Sequence, residues 1–224
     1  MKSHLDLLSR ILSPFLKLFF HLLYHSFAWT YDLVSNFVSV GRWKEWVYRM
    51  LPYIKGNRIL EIAHGPGHLL LKMTQCGLTP IGIDESRQMV ALAKNLLSTK
   101  SLQYRIVRSN AMSLPFANGQ FDTIISTFPA SFILEQDTLS EVSRLLNPGG
   151  RLILLFSAWI TSKRLIDRVM AFLFKATGES PPENMDLSIP QNKFSVSGLK
   201  AQIEWVIMPD SKLLVVIATK TALI

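Results

Sequence analysis

The chain has 224 residues, a formal net charge of +8, 49% hydrophobic and 18% charged residues, which suits one full-sized core with an appendage and is greasy for a soluble domain. A single Cys76 excludes an intramolecular disulfide and leads us to expect a reducing, cytosolic setting, with the thiol filling core space. The five histidines (His4, His21, His25, His64, His68) show no metal-ligand spacing, so no metal is expected, and eight Lys and Arg against three acids in residues 1–58 concentrate the basic excess there.

Residues 1–31 are rich in Leu, Ile and Phe, interrupted by Asp6, Arg10 and Lys17, with Pro14 able to kink or start a helix. The longest uncharged run, Leu18 to Tyr31, is 14 residues, short of the roughly 18 expected of a spanning helix. No small-residue cleavage site follows a basic start, so a signal peptide is not expected. Two readings stay open: a helical cap packed over a cleft, or an amphipathic element in a membrane interface with Lys and Arg toward anionic headgroups. Asp32 to Pro52 reads as further helix, with Trp43, Trp46, Val47, Met50 and Leu51 at three-four spacing and Gly41 as a break.

From Gly56 onward strand and helix patterns alternate, as in a parallel sheet covered on both faces. Strands are expected at Arg58–Ala63, Pro80–Asp84, Tyr104–Arg108, Thr123–Thr127 and Arg151–Phe156. Helices are expected at His68–Gln75, at Arg87–Ser98 behind a Ser86 cap, and at Thr138–Leu146, stopped by Asn147-Pro-Gly-Gly. Trp159–Thr177 reads as an amphipathic helix, Gly178–Asn192 as a loop, and Ala201–Met208 with Lys212–Thr219 as a closing hairpin.

Residues 58–68 carry the functional signal. An apolar strand containing Glu61 breaks at His64-Gly65-Pro66-Gly67 and resumes as helix, and glycine there lets backbone approach a nucleotide-like ligand. The next strand ends in Asp84, placed to accept hydrogen bonds from ribose hydroxyls. The nicotinamide fingerprint G-x-G-x-x-G is absent.

The pattern Glu61-x-Ala63-x-Gly65-x-Gly67 resembles the nucleotide loop of S-adenosylmethionine-dependent methyltransferases of the Rossmann-like class. Ser109-Asn-Ala-Met-Ser-Leu-Pro-Phe116, Gln120–Ile125 and Glu141–Leu154 resemble that family's adenine-side segment, fourth strand, and helix with fifth strand. The likeness covers roughly Lys55 to Phe156 and is nearest to the quinone-biosynthesis branch. It implies an α/β, doubly wound, mostly parallel seven-stranded sheet with an antiparallel C-terminal hairpin and an N-terminal helical cap. Residues 1–54 would be the cap or membrane-interface segment, and 55–224 the cofactor-binding domain.

The implied cofactor is S-adenosyl-L-methionine. Its site would comprise Glu61, Ala63, His64, Gly65, Gly67, Asp84, Glu85, Met89, Asn110, Ala111, Met112, Ser126 and Thr127. Ala63 stands where the family has glycine, predicting a slightly opened loop. Asn110 stands where an aspartate meets the adenine amino group, and its amide oxygen can still accept that hydrogen bond. The catalytic candidates are His64 and Tyr31, the latter through a Tyr-Asp pair preceding the core; neither role is fixed. Since the cofactor carries the activated group, the protein supplies orientation and a dry pocket, and no catalytic dyad stands out.

Ser126–Phe132 should face the cleft, and Phe128, Phe132 and Trp159 favour a lipophilic acceptor. The Asn/Asp-Pro-Pro-Tyr motif of base and amide methylation is absent, and no basic-aromatic cluster suggests nucleic acid. The expected setting is cytoplasmic, with possible peripheral contact of residues 1–50 with an anionic inner membrane face. The alternatives are a methyltransferase for a soluble molecule with the first helices as lid, and a non-catalytic cofactor-binding protein at a membrane.

Overall fold

The computed structural model describes residues 35–36, 39–100, 102–162, 164 and 188–221. Its elements are α1 (Trp43–Tyr48), β1 (Ile59–Ile62), α2 (His68–Gln75), β2 (Ile81–Asp84), α3 (Arg87–Ser98), β3 (Arg105–Arg108), β4 (Phe121–Thr127), α4 (Gln136–Leu145), β5 (Leu146–Ile160), α5 (Ser188–Val196), β6 (Leu199–Met208) and β7 (Ser211–Lys220). The seven strands form one sheet in the order β3-β2-β1-β4-β5-β7-β6. Strands β1 to β5 are parallel, and β7 runs antiparallel to both β5 and β6. The chain therefore reverses direction across the sheet between β1 and β4, where open α/β sheets leave a crevice at the strand ends.

The central strands are apolar on both sides because helices cover both sides. Leu60, Ile62, Ile124, Leu152 and Leu154 enter one core cluster. Their neighbours Ile59, Ile125, Ile153 and Leu155 enter the other, with Trp46, Met50, Leu69 and Met73. This is the period of two that a pleated strand imposes. By that alternation Glu61 shares the face of Ile59, under α2, and is 1% exposed.

Helix α1 is fastened to the far end of the sheet. Trp46 Nε1 donates to Ser211 Oγ at 2.9 Å, and Arg42 pairs with Asp210 at 3.0 Å. Ser39 Oγ accepts the Trp43 amide at 2.9 Å, which satisfies the first N–H of α1. The ion pair is partly solvated and contributes no more than about 1 kcal/mol; the burial of Trp46 and Met50 carries more.

Several expectations need correction. Strand β5 is longer than Arg151–Phe156. Leu146 already pairs with Phe121, and Ser157–Ile160 pair with Leu214–Ser211 beyond a bulge. Trp159, expected to open a helix, is thus in a strand, because an antiparallel partner satisfies its backbone. The expected loop Gly178–Asn192 ends in helix from Ser188, with Pro190 in the first turn, where its missing N–H has no helical acceptor to lose. Cys76 caps the end of α2 and is exposed rather than core-filling. Thr161, Ser162 and Arg164 are also outside any helix; the rest of the expected Trp159–Thr177 helix and all of residues 1–34 lie outside the described residues.

Candidate functional site

Strand β1 ends where Ala63, Gly65 and Gly67 take φ of +54°, +55° and +88°. Three left-handed residues in five coil the chain tightly before α2 starts. Ala63 adopts the conformation that glycine supplies freely, at a cost of roughly 1–2 kcal/mol, so the alanine keeps the left-handed turn instead of opening it. A Cβ on Gly67 would come within 2.8 Å of the Ala93 Cβ on α3, whereas one on Gly65 would meet open space. Gly67 therefore serves the packing of α2 on α3, and Gly65 keeps the space above the loop clear.

Asp84 ties the loop to the next strand. Its Oδ2 accepts the Gly65 N–H at 2.9 Å and its Oδ1 accepts the Ser86 N–H at 2.9 Å. A carboxylate offers about four acceptor positions, so two remain for a ligand. Beside it opens a cleft of about 400 Å³. Ala63 and Gly65 form its floor, residues 84–89 with Arg108 one wall, and Thr127–Ala130 with Phe132 the other. One wall is polar and the other apolar.

The apolar wall is made by a costly backbone. Phe128 has φ +49°, a region where a bulky residue is a genuine outlier and costs of order 1–3 kcal/mol. Its N–H donates to Leu155 O at 2.8 Å, and its ring stacks on Trp43 at 4.2 Å between centroids with 27° between planes.

Three titratable groups crowd behind the loop. Burial holds the Glu61 carboxyl well above the usual range, the nearby Asp84 charge adds to this, and the Leu70 N–H bond opposes it. Burial lowers His64, against the opposing charge of Asp84. Burial raises Asp84, against His64 and the two backbone N–H groups. His64 Nδ1 donates to Gly65 O at 2.7 Å, which leaves Nε2 as the acceptor of a neutral ring. Both His64 Nε2 and Glu61 Oε2 are buried without a partner among the described residues.

The structure gathers Ala63, Gly65, Asp84, Glu85, Met89 and Thr127 at the cleft wall. Glu61 and His64 are buried behind it, and Gly67 sits against α3. Ser126 is buried too, its hydroxyl donated to Ile62 O at 2.7 Å. Asn110 is exposed; its Oδ1 accepts the Met112 N–H at 2.8 Å and its Nδ2 donates to Glu85 Oε1 at 3.3 Å. The amide oxygen thus holds one local bond and keeps its second acceptor position. Ala111 packs on the core, while Met112 is exposed. Tyr31 lies outside the described residues. Trp159, grouped with the acceptor aromatics from sequence, instead packs on Trp205 at 5.1 Å. Sequence reasoning missed Ser86, Arg87, Gln88 and Arg108 as wall residues. Arg108 was findable in principle, since it pairs in register with Asp84 across β2 and β3.

Residues 59–150 match the family model described as a methyltransferase domain. About two-fifths of the chain thus resembles a methyltransferase domain. Over 131 residues it is 33% identical to a demethylmenaquinone methyltransferase from Thermus thermophilus, covering 56% of this chain and 60% of that protein. Over 142 residues it is 28% identical to a ubiquinone/menaquinone biosynthesis C-methyltransferase from Geotalea uraniireducens, covering 59% and 60%. The alignments thus span about three-fifths of these relatives' length. A presumed S-adenosyl-L-methionine-dependent methyltransferase from Methanococcus maripaludis shares the fold, with a TM-score of 0.65 at 19% identity over 88% of this chain and 93% of that one. The matched residues thus include the loop at Ala63–Gly67, Asp84 and the apolar wall of Thr127–Ala130 with Phe132.

Proposed function

We propose that this chain is an S-adenosylmethionine-dependent methyltransferase acting on a small lipophilic acceptor. The observation that carries the reading is one cleft with Asp84 on a polar wall and Phe128 and Phe132 on the facing apolar wall. The residues fit the cofactor. Asp84 keeps two acceptor positions for a ribose diol, Gly65 leaves open space, and Glu61 Oε2 lacks a partner behind the loop. Bound there, the cofactor supplies a methyl group activated by a sulfonium.

The chain's own groups do the rest. Asp84, Glu85 and Met89, which line the cleft, would hold the nucleoside. Gly65 and Ala63 would admit its amino-acid end close to backbone, with Glu61 and His64 buried behind the loop. Phe128, Pro129, Ala130 and Phe132 exclude water where the acceptor meets the methyl group, which favours in-line displacement by positioning. Asn110, Ala111, Met112 and Ser126 would act one layer out, and His64, with its Nδ1 engaged, orients the loop rather than the acceptor.

The acceptor class is supported by the apolar wall and by the similarity to methyltransferases named for quinone biosynthesis. We further propose a cytoplasmic protein, peripheral on the inner membrane face through residues 1–50, whose basic excess suits anionic lipid. No helix of the described residues is long and apolar enough to cross a membrane. The test is transfer of labelled methyl from S-adenosylmethionine into a host lipid and quinone extract. Label in one apolar product supports the reading, and label only in water-soluble products contradicts it. Flotation with anionic vesicles separates the anchor from a lid: equal flotation of the full chain and one lacking residues 1–30 ends the membrane proposal.

A further inference from the structure

We propose that Phe128 selects the acceptor by presenting a flat apolar surface to it, and that Trp43 positions Phe128 for this. The inference rests on the methyltransferase reading and deepens it, giving Phe128 a role in acceptor choice and Trp43 a role in placing Phe128.

Phe128 directly follows β4, and its backbone sits at φ +49°, a conformation that a phenylalanine adopts only when its surroundings impose it. Two restraints are visible. The amide is tied to Leu155 O at 2.8 Å, and the ring is stacked on Trp43 at 4.2 Å, with Trp46 tilted beside it at 6.3 Å. The tryptophans are themselves held in place, because α1 is fastened by the Trp46–Ser211 and Arg42–Asp210 contacts. A chain of contacts therefore runs from the turn at Asp210 and Ser211 through α1 to the cleft. Had the backbone relaxed to an ordinary β or helical φ, the side chain would leave in another direction and the wall would be lost. Outliers of this kind persist where the surroundings over-determine them, and they cluster at functional sites.

Phe128 borders the cleft opposite Asp84, with Phe132 in the same wall. A ring backed by a second ring is a rigid, dry surface that an acceptor's own flat apolar ring can cover, with offset or tilted stacking. Such a surface discriminates by shape and by desolvation, so its loss falls on the acceptor and leaves nucleoside binding alone. Trp43 does not wall the cleft; it acts through Phe128.

The test is a double-mutant cycle read by calorimetry on the full chain. One titrant is S-adenosylhomocysteine; the other is 1,4-naphthoquinone, a flat apolar probe, added to protein saturated with S-adenosylhomocysteine. Phe128→Gly accepts the backbone conformation while removing the ring, so it keeps the fold. Trp43→Ala removes the backing ring, and Trp43→Phe restores one. The expected result is naphthoquinone affinity lowered about fivefold or more in Phe128→Gly and Trp43→Ala, near wild type in Trp43→Phe, and no lower in the double variant than in Phe128→Gly alone. Affinity for S-adenosylhomocysteine stays within about twofold throughout. Additive losses in the double variant, unchanged naphthoquinone affinity, or no naphthoquinone binding by the wild type each overturn the inference while leaving the methyltransferase reading standing. Failure of the wild type to bind S-adenosylhomocysteine overturns both. Should Trp43→Ala unfold, Phe128→Gly and Trp43→Phe still decide the matter.

Discussion

The Asp84 carboxylate accepts the Gly65 amide at 2.9 Å, so the acid at the end of β2 fixes the loop at the end of β1. A single side chain thereby sets both the shape of the loop and the polar edge of the cleft.

Gly65 and Gly67 should respond differently to the same substitution. In Gly67→Ala the new Cβ lies 2.8 Å from Ala93 Cβ at φ +88°. Overpacking of about 1–3 kcal/mol then adds to backbone strain. Thermal unfolding should fall by several degrees, at about 2–4 °C per kcal/mol for this size. In Gly65→Ala only the strain remains, so the melting temperature falls less, while S-adenosylhomocysteine affinity falls because the Cβ enters space kept clear. Equal melting temperatures for the two variants would count against the packing role of Gly67.

Ala63→Gly should be neutral to stabilising. It removes left-handed strain of roughly 1–2 kcal/mol and adds unfolded-state entropy worth about 0.5–1 kcal/mol. Calorimetric melting checks this, and a clear drop in melting temperature would show that the Ala63 Cβ makes a compensating contact.

Glu61 predicts a pH dependence. Its folded pKa is raised, first by burial and then by Asp84. The associated stability is fully present below the ordinary Glu range near 4.5 and is lost as pH rises toward the raised value. Glu61→Gln mimics the protonated form and keeps an oxygen for the Leu70 amide. Its melting temperature relative to wild type should therefore climb between pH 5 and pH 8. A difference that stays flat across that range would mean Glu61 titrates normally.

Trp46→Phe should cost about 1–2 kcal/mol, because it leaves the buried Ser211 hydroxyl without the indole donor. Chemical denaturation measures this directly. A null result would mean α1 is held by its apolar contacts alone.

Local signals made much of this legible in the sequence. Helices α2 and α3 run over the expected His68–Gln75 and Arg87–Ser98, and Ser86 Oγ caps the latter by accepting the Met89 N–H. Glycine, serine and apolar spacing act within a few residues, so one chain position suffices to read them. The misreadings involve distant partners. Trp159 and Ile160 become strand because β7 offers Lys212 and Ser211. Pro190 reads as loop until its place in a first helical turn is known. The left-handed Phe128 has no local cue at all, since its conformation depends on Leu155 and on Trp43, 85 positions earlier. Asp84 as a cleft residue was legible; Arg108 beside it required the strand register.

The central claim is that Asp84 grips the sugar of an S-adenosyl nucleoside held over Gly65. Isothermal titration of S-adenosylmethionine into wild type and Asp84→Ala tests it, with unfolding curves confirming that both are folded. The account predicts saturable binding to the wild type and affinity weakened about tenfold or more in the variant; unchanged affinity in a folded Asp84→Ala protein would contradict it.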